Sequence, residues 1–447
     1  MRVFYRTFGC KANQYDTERM RQELDARGTS AAERIEDAEI CVLNTCTVTN
    51  SADAEARRAI RRIRRRNPDA RIVVAGCSAA LHAEDYAGME GVDAVIPGHD
   101  PVRVAQAGAP TASRPGAGTG SVLVQLDDRR ALDRLDVEPV GGELLRRRTA
   151  GTRGWLKIQD GCDRKCAFCA TRLARGRSRS RSPEEVVAEA RLLARHHPEI
   201  VLTGIHIGHY GLDLTESVTL GQLVHHLLDA VPGVRFRLGS IEATEICDDI
   251  VDRLVDSGGR LAPHLHMPLQ SGADPVLRRM RRWHTREQYR ARVLEIAERV
   301  PVLGLGADVI TGFPGETEED HAATAVLIDE LPFTYLHVFP FSPRDDTVAA
   351  RLVQEMPVPE RVAGERSRDL RERVQRKGGR HAEARAGTLA RVVLEGRDSA
   401  LTGDYLRVCV AADSSGRVGD LARGVLQMGP DGLYIESLET VAWREGA

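Results

Sequence analysis

The chain has 447 residues, 42% hydrophobic and 29% charged, an ordinary globular composition with room for roughly two to four domains. Its 63 basic and 65 acidic residues leave a formal net charge of −2, which excludes nucleic-acid binding by bulk charge and leaves only local patches to argue from. No apolar run approaches 18 residues, and Met1-Arg2-Val3-Phe4-Tyr5 passes straight into a strand-like start, so neither a membrane span nor a secretory segment is expected. The odd set of nine cysteines then points to a reducing cytoplasm where thiols serve metals.

Residues 1–110 alternate strands and helices. Strands are predicted at Arg2–Thr7, Glu39–Asn44, Arg71–Ala75 and Val92–Ile96, with helices at about Asn13–Arg27 and Asp53–Arg66. That rhythm predicts a doubly wound parallel α/β domain. Cys10, Cys46 and Cys77 each fall two to three residues past a predicted strand end. The carboxyl ends of parallel strands share one edge, so three distant cysteines can converge there, and helix starts beside them favour thiolates. The competing reading is three small buried hydrophobes. Cys41, between Ile40 and Val42, reads as core.

Residues 111–147 read as a linker. The Gly- and Pro-rich run Gly108–Gly120 has linker composition, with one possible strand at Ser121–Gln125. From 148 to 380 the alternation resumes. Strands at Trp155–Gln159, Ile200–Leu202, Phe236–Leu238, His264–Pro268, Leu305–Ile310 and Tyr335–Phe339 predict a partial (β/α)6 barrel with its site at the strands' carboxyl ends. Thr203, Gly204, Gly208, Ser240, Glu242, Gln270, Asp308, Gly312 and Glu316 sit at those ends and are candidate cofactor contacts, although the glycines also suit tight turns. His206, His264, His266 and His337 read as packed or hydrogen-bonded side chains. Residues 381–447 read as a small β-barrel of the oligonucleotide-binding type, with strands at Leu389–Glu395, Tyr405–Ala411 and Gly432–Thr440.

The first barrel strand leads into Cys162-Asp-Arg-Lys-Cys166-Ala-Phe-Cys169. Three thiolates at C-x3-C-x2-C spacing fall one short of the four ligands of an iron–sulfur cube, leaving one iron open to bind a reactant. Structural zinc would want a fourth ligand nearby, and the next cysteine is Cys247.

With a cysteine triplet in each of two domains, the chain resembles the methylthiotransferases of the radical S-adenosylmethionine (SAM) superfamily. The resemblance rests on Thr7–Glu18, Asn44–Asp53, Ala75–Ser78, Gln159–Cys169, Ala174–Arg181, Leu202–Gly208, Pro268–Asp274, Asp308–Thr317 and Leu336–Ser342, and spans nearly the whole chain. It implies two [4Fe–4S] clusters, held by Cys10, Cys46 and Cys77 and by Cys162, Cys166 and Cys169, with SAM as co-substrate. It further implies methylation of a sulfur at the first cluster, a 5′-deoxyadenosyl radical generated at the second, and a reduced flavodoxin- or ferredoxin-type donor. The terminal barrel would correspond to the family's TRAM domain.

Gly9-Cys-Lys-Ala-Asn-Gln-Tyr-Asp-Thr-Glu18 and Leu336-His-Val-Phe339 are similar to the branch acting on N6-threonylcarbamoyladenosine beside the tRNA anticodon. Branches acting on isopentenyladenosine or on a ribosomal-protein aspartate match less closely. A non-catalytic iron–sulfur carrier and an RNA-binding protein without chemistry remain as other classes. Three arginine groups suit phosphate contacts: Arg57–Arg66, Arg172–Arg181 and Arg278–Arg282. The chain departs from the family at Ala170-Thr171-Arg172-Leu173, where apolar residues and a proline are usual. It departs again in the barrel, which from Gly387 has six Arg, no Lys and nine Asp or Glu.

Overall fold

A computed structural model describes residues 1–47, 50–108, 123–124, 140, 143–149, 151–411 and 416–441. Most of the predicted linker, and the ends of the strand expected at Ser121–Gln125, lie outside them.

The first domain is a parallel six-stranded sheet in the order β2-β1-β3-β4-β5-β6. Its strands are β1 (Arg2–Thr7), β2 (Ser30–Ala31), β3 (Ile40–Thr45), β4 (Arg71–Gly76), β5 (Ala94–Pro97) and β6 (Leu123–Val124). Every residue of β3 is buried, as expected of a central parallel strand covered on both faces. The connecting helices are α1 (Lys11–Ala26), α2 (Asn50–Arg66), α3 (Cys77–Leu81), α4 (Ala83–Ala87) and α5 (Pro101–Ala107). Helix α5 starts where its sequence says: Pro101 sits in the first turn, and the Asp100 carboxylate accepts from the N–H groups of Val102 and Arg103.

The second domain is an open barrel. Strands β7 (Gly154–Lys157), β10 (Glu199–Thr203) and β11 (Arg235–Leu238) form one parallel half-sheet, and β12 (His264–His266), β13 (Gly304–Thr311) and β14 (Tyr335–Pro340) form the other. Parallel bridges Phe236–Leu261 and Ser240–His266 join the halves. Between β7 and β10 lie the short antiparallel pair β8 (Gln159–Asp160) and β9 (Arg179–Ser180), which pins the ends of the cysteine loop, with α6 (Thr171–Arg175) and α7 (Pro183–Ala194). Helices α8 (Leu220–Ala230), α9 (Asp248–Asp256), α10 (Asp274–Arg279), α11 (Arg286–Arg299) and α12 (Glu318–Glu330) follow, then α13 (Val348–Glu355) and α14 (Glu360–Arg385). Thr219 with Gln222 and Thr285 with Gln288 form reciprocal capping boxes that fix the starts of α8 and α11. This is the partial (β/α)6 architecture that the alternation predicted.

The last domain is a closed five-stranded barrel in the order β15-β16-β17-β19-β18. Its strands are β15 (Leu389–Leu394), β16 (Ser399–Thr402), β17 (Arg407–Val410), β18 (Leu421–Gly429) and β19 (Gly432–Thr440). Two of these, β16 and β18, have no counterpart in the sequence-based strands. A register shift between Arg423 and Val425 interrupts the alternation of β18 at Gly424.

The domains are joined by buried contacts. Tyr15 of α1 belongs to the hydrophobic core of the second domain and donates to Glu189. Trp155 Nε1 donates to Gln14, and Lys157 pairs with Asp16. No described helix is long and apolar enough to cross a membrane.

Candidate active site between two cysteine triads

Strands β1, β3 and β4 are neighbours, so the chain segments leaving their carboxyl ends emerge side by side. Cys10 caps the start of α1, Cys46 follows β3 directly, and Cys77 is the first residue of α3. Glycine lets these loops close. Gly9 has φ +86°, and a Cβ there would overlap Cys46 Sγ; Gly76 has φ +102°, and a Cβ there would overlap the Thr45 carbonyl. Asn13 ties the loops together by donating to the carbonyls of Phe8 and Thr45 at 2.9 and 2.7 Å.

Burial pushes the Cys77 thiol up to about 12, and charge on Cys46 or Cys10 would raise it further. Arg175 opposes that rise, its Nε donating to Cys77 Sγ at 3.3 Å. His99 Nε2 lies 3.6 Å from the same sulfur. Cys41 is buried within β3, as expected of a core residue.

The second triad sits on the loop between β8 and α6. Gly161 (φ +70°) starts it, and a Cβ there would overlap the Arg177 carbonyl. Each sulfur has a hydrogen-bonding partner of its own. Cys162 lies 3.5 Å from His206 Nδ1. Cys166 lies 3.6 Å from Arg282 Nη1. Cys169 lies 3.4 Å from the Thr171 N–H and 3.1 Å from its hydroxyl.

Behind these donors is a further layer. His206 Nε2 pairs with Glu245 at 2.7 Å, Glu245 accepts from Arg164 at 2.8 Å, and Arg282 pairs with Glu242. Burial raises Cys162 to about 12 and also raises Cys166. Such thiols stay protonated until a metal displaces the proton.

Among the described residues, no set of three His, Cys, Asp or Glu donors within 4.8 Å of one another includes a cysteine. A single tetrahedral zinc binds its thiolates at about 2.3 Å and needs closer sulfurs than these. Three-thiol sets, with guanidiniums beside Cys77 and Cys166 and an N–H beside Cys169, fit [4Fe–4S] clusters in ligand type and number.

Arg175 connects the triads. Fully buried, it touches Cys77, Asn13 Oδ1 at 2.6 Å, Asp16 at 2.9 Å and Asp160 at 2.9 Å, and Asp160 lies two residues before Cys162. Burial alone would raise the Asp16 carboxyl; Lys157 and Arg175 override it and hold the group below its ordinary range. Burial, with Arg175 nearby, lowers His99 to about 3, so that imidazole is neutral.

Beside this junction lies a cavity of about 380 Å³ walled by both domains. Thr47, Asp53 and Arg57 line it from one side, and Ala170, Leu173 and Arg344 from the other. Thr47 follows Cys46 and Ala170 follows Cys169, so the cavity reaches the neighbourhood of both triads.

The remaining predicted residues divide. Gln270 and Asp308 line a cavity of about 150 Å³ with Phe168 and Phe341. Asp308 pairs with His266 at 3.1 Å and His337 at 3.2 Å, and these histidines hold its carboxyl well below the usual range against the effect of burial. His264 is bonded to Tyr335 at 2.9 Å, so all four histidines flagged from sequence are hydrogen-bonded. Glu242 borders Cys166 through Arg282, and Ser240 is exposed at the bridge to His266. Thr203 is buried, its carbonyl accepting from Ile158. Gly204 packs on Gln159 and Gly208 on Glu245, where a Cβ would clash in both cases.

Gly312 and Glu316 have a structural task in the fold. Glu316 accepts from the Gly312 N–H at 2.6 Å and from Arg366 at 2.8 Å, and a Cβ on Gly312 would overlap Ala363, so the pair anchors α14.

The arginine groups divide: Arg175 and Arg181 point inward, Arg181 onto Glu189 and Tyr15, and Arg279 and Arg282 pair with Asp320 and Glu242. The sequence reading left Asn13, Asp16, His99 and Asp160 without roles. For Asn13, Asp16 and Asp160 the signal was their position inside the cysteine motifs; His99, 22 residues past Cys77, carried none.

Residues 2–97 match the family described as "Uncharacterized protein family UPF0004", and residues 156–328 match "Radical SAM superfamily". A Bacillus subtilis (strain 168) protein named threonylcarbamoyladenosine tRNA methylthiotransferase MtaB is 40% identical over 366 residues, covering 81% of this chain and 78% of that one. Its namesake in Aquifex aeolicus (strain VF5) is 33% identical over 420 residues, covering 91% and 96%. A tRNA-2-methylthio-N(6)-dimethylallyladenosine synthase of Sorangium cellulosum (strain So ce56) is 34% identical, covering 88% and 81%. Among solved structures, the radical S-adenosylmethionine methyltransferase TsrM of Kitasatospora setae, with cobalamin and a [4Fe-4S] cluster bound, covers 83% of this chain at a TM-score of 0.55 and 16% identity, a likeness of fold.

Proposed function

The chain belongs to the radical SAM methylthiotransferases, and from that premise we propose that it adds a methylthio group to carbon 2 of N6-threonylcarbamoyladenosine beside the tRNA anticodon. Membership in the superfamily entails a [4Fe–4S] cluster and SAM. In this reading Cys162, Cys166 and Cys169 hold that cluster, and Cys10, Cys46 and Cys77 hold a second. Bound there, the clusters supply an electron that cleaves SAM to a 5′-deoxyadenosyl radical and the sulfur that is transferred, chemistry no side chain offers at an unactivated C–H bond.

The chain's own residues do the holding. Thr171, His206 and Arg282 orient and neutralise the ligating sulfurs of one triad, and Arg175 does so for Cys77 of the other. Gln270 and Asp308 face SAM from the small cavity, with Thr203, Gly204, Gly208, Ser240 and Glu242 around the same strand ends. The larger cavity, lined by both domains, takes the target base. A reduced flavodoxin- or ferredoxin-type protein is the electron donor, and tRNA as substrate places the enzyme in the cytoplasm.

The observation that carries this reading is the Arg175 side chain, which reaches Cys77 of one triad and Asp160 beside the other, and so supports a reading in which radical generation and sulfur delivery are neighbours. The choice of nucleoside follows the relatives, four of which carry the threonylcarbamoyladenosine name at 33–40% identity. The same transfer to N6-dimethylallyladenosine is the second reading, supported by relatives of that name. Mass spectrometry of tRNA nucleosides from a deletion strain separates them. Loss of 2-methylthio-N6-threonylcarbamoyladenosine with accumulation of its precursor is expected; an unchanged level of that nucleoside overturns the proposal.

A further inference from the structure

Helix α2 carries seven arginines between Arg57 and Arg66. Three of them are spoken for: Arg57 pairs with Asp85 at 3.2 Å, Arg64 with Asp93 at 3.1 Å and Arg66 with Glu36 at 2.8 Å. The other four, Arg58, Arg61, Arg62 and Arg65, are exposed, and among the described residues none has a carboxylate within 4.0 Å.

Their spacing is i, i+3, i+4 and i+7, so they form one stripe two turns long, about 10 Å. The opposite face of the helix, Ala56, Ala59, Ile60 and Ile63, is buried in the domain core. Like charges three and four residues apart on a helix repel, so the stripe disfavours the free protein and asks for a polyanion.

We propose that this stripe is the docking surface for the phosphate backbone of the substrate RNA, leading the strand to the cavity between the two triads. The inference takes the identity of the RNA from the tRNA reading above. Position supports it: Arg57, adjacent to the first stripe residue, and Asp53 and Ala54, one turn earlier, line that cavity. Chemistry supports it too. The guanidinium is a planar fork matched to phosphate oxygens, and four in a row suit a regularly charged strand better than the scattered acids of a protein. The terminal barrel, the expected RNA module by resemblance, has six Arg against nine Asp or Glu from Gly387 onward, so the electrostatic hold falls to the first domain.

The test uses the full-length enzyme with its clusters reconstituted and an anticodon stem-loop RNA, titrated at several salt concentrations. Variants are the quadruple Arg→Gln set at 58, 61, 62 and 65 and the matching quadruple Arg→Lys set. Gln keeps helix propensity, and unchanged cluster absorbance and SAM cleavage without RNA report an intact fold. In the Gln variant, affinity near 0.15 M salt should fall roughly tenfold or more, and the slope of log K against log salt should lose about three. The Lys variant should retain most of both.

Wild-type affinity and slope in the Gln variant overturn the proposal. So does unchanged RNA binding with slowed cluster reduction by a flavodoxin, which would make the stripe a protein-docking face. Stripe-dependent RNA binding beside an unchanged nucleoside profile in the deletion strain would uphold the surface and sink the nucleoside assignment; the converse would do the opposite.

Discussion

At the residue scale, the proposed chemistry rests on six thiols and the groups beside them. If each triad holds its own cluster, the chain takes up about eight iron atoms. Cys10→Ala/Cys46→Ala/Cys77→Ala should retain about four and still cleave SAM to 5′-deoxyadenosine, while forming no methylthio product. Iron analysis with electron paramagnetic resonance checks this, and a variant that still binds about eight iron atoms would refute the second cluster.

Thr171 offers a finer test. It opens α6, in the stretch where the sequence departs from its family, and its hydroxyl oxygen is 3.1 Å from Cys169 Sγ. A hydrogen bond to a ligating sulfur stabilises the reduced cluster. Thr171→Val should therefore lower the midpoint potential read by redox titration, Thr171→Ser should restore it, and iron content should not change. The triads were legible from the sequence because strand ends and C-x3-C-x2-C spacing are local signals. Arg175 and Arg181 were not, because in an arginine-rich run nothing local says which side chains turn inward; carboxylates from α1 and α7 decide that.

At the scale of elements, the loops that end strands matter more than the strands. Gly9 and Gly161 hold left-handed conformations at the mouths of the two triads, and at both a Cβ would meet an atom of a neighbouring loop. Gly9→Ala is expected to cost about 1–3 kcal/mol in backbone strain and to push Cys46 out of place. The variant should bind about four irons rather than eight, with a lowered melting temperature and unimpaired SAM cleavage. Full iron occupancy would show that the loop relaxes without moving the sulfur.

Period and turn chemistry made most elements readable, including the open barrel strands and the long α2. The barrel strands β16 and β18 escaped because β16 has four residues and β18 is broken at Gly424 by a bulge, so neither shows sustained alternation.

At the scale of the whole molecule, a buried ion cluster helps dock the terminal barrel. Glu199 is fully buried and pairs with Arg235 at 2.5 Å and Arg237 at 2.9 Å. The same two guanidiniums donate across the boundary, Arg235 to the carbonyls of Arg391 and Leu401, and Arg237 to those of Thr402 and Gly403. Burial alone would raise the Glu199 carboxyl; Arg235 and Arg237 outweigh it and hold the group well below its ordinary range. A depressed carboxyl stabilises fully above its unfolded pKa, about 4.3, and loses that contribution as pH falls through the lower folded value. The barrel should therefore undock in acid, below about pH 4, and not at alkaline pH. Glu199→Gln removes the shared anion and leaves two buried guanidiniums unbalanced, at a cost of about 3–5 kcal/mol. Melting curves across pH and limited proteolysis around Ala386–Thr388 read the effect. The variant should already melt low at pH 7, expose that segment to cleavage, and respond to acid less steeply than the parent. Equal acid sensitivity in both proteins would mean that carboxylates other than Glu199 hold the barrel in place.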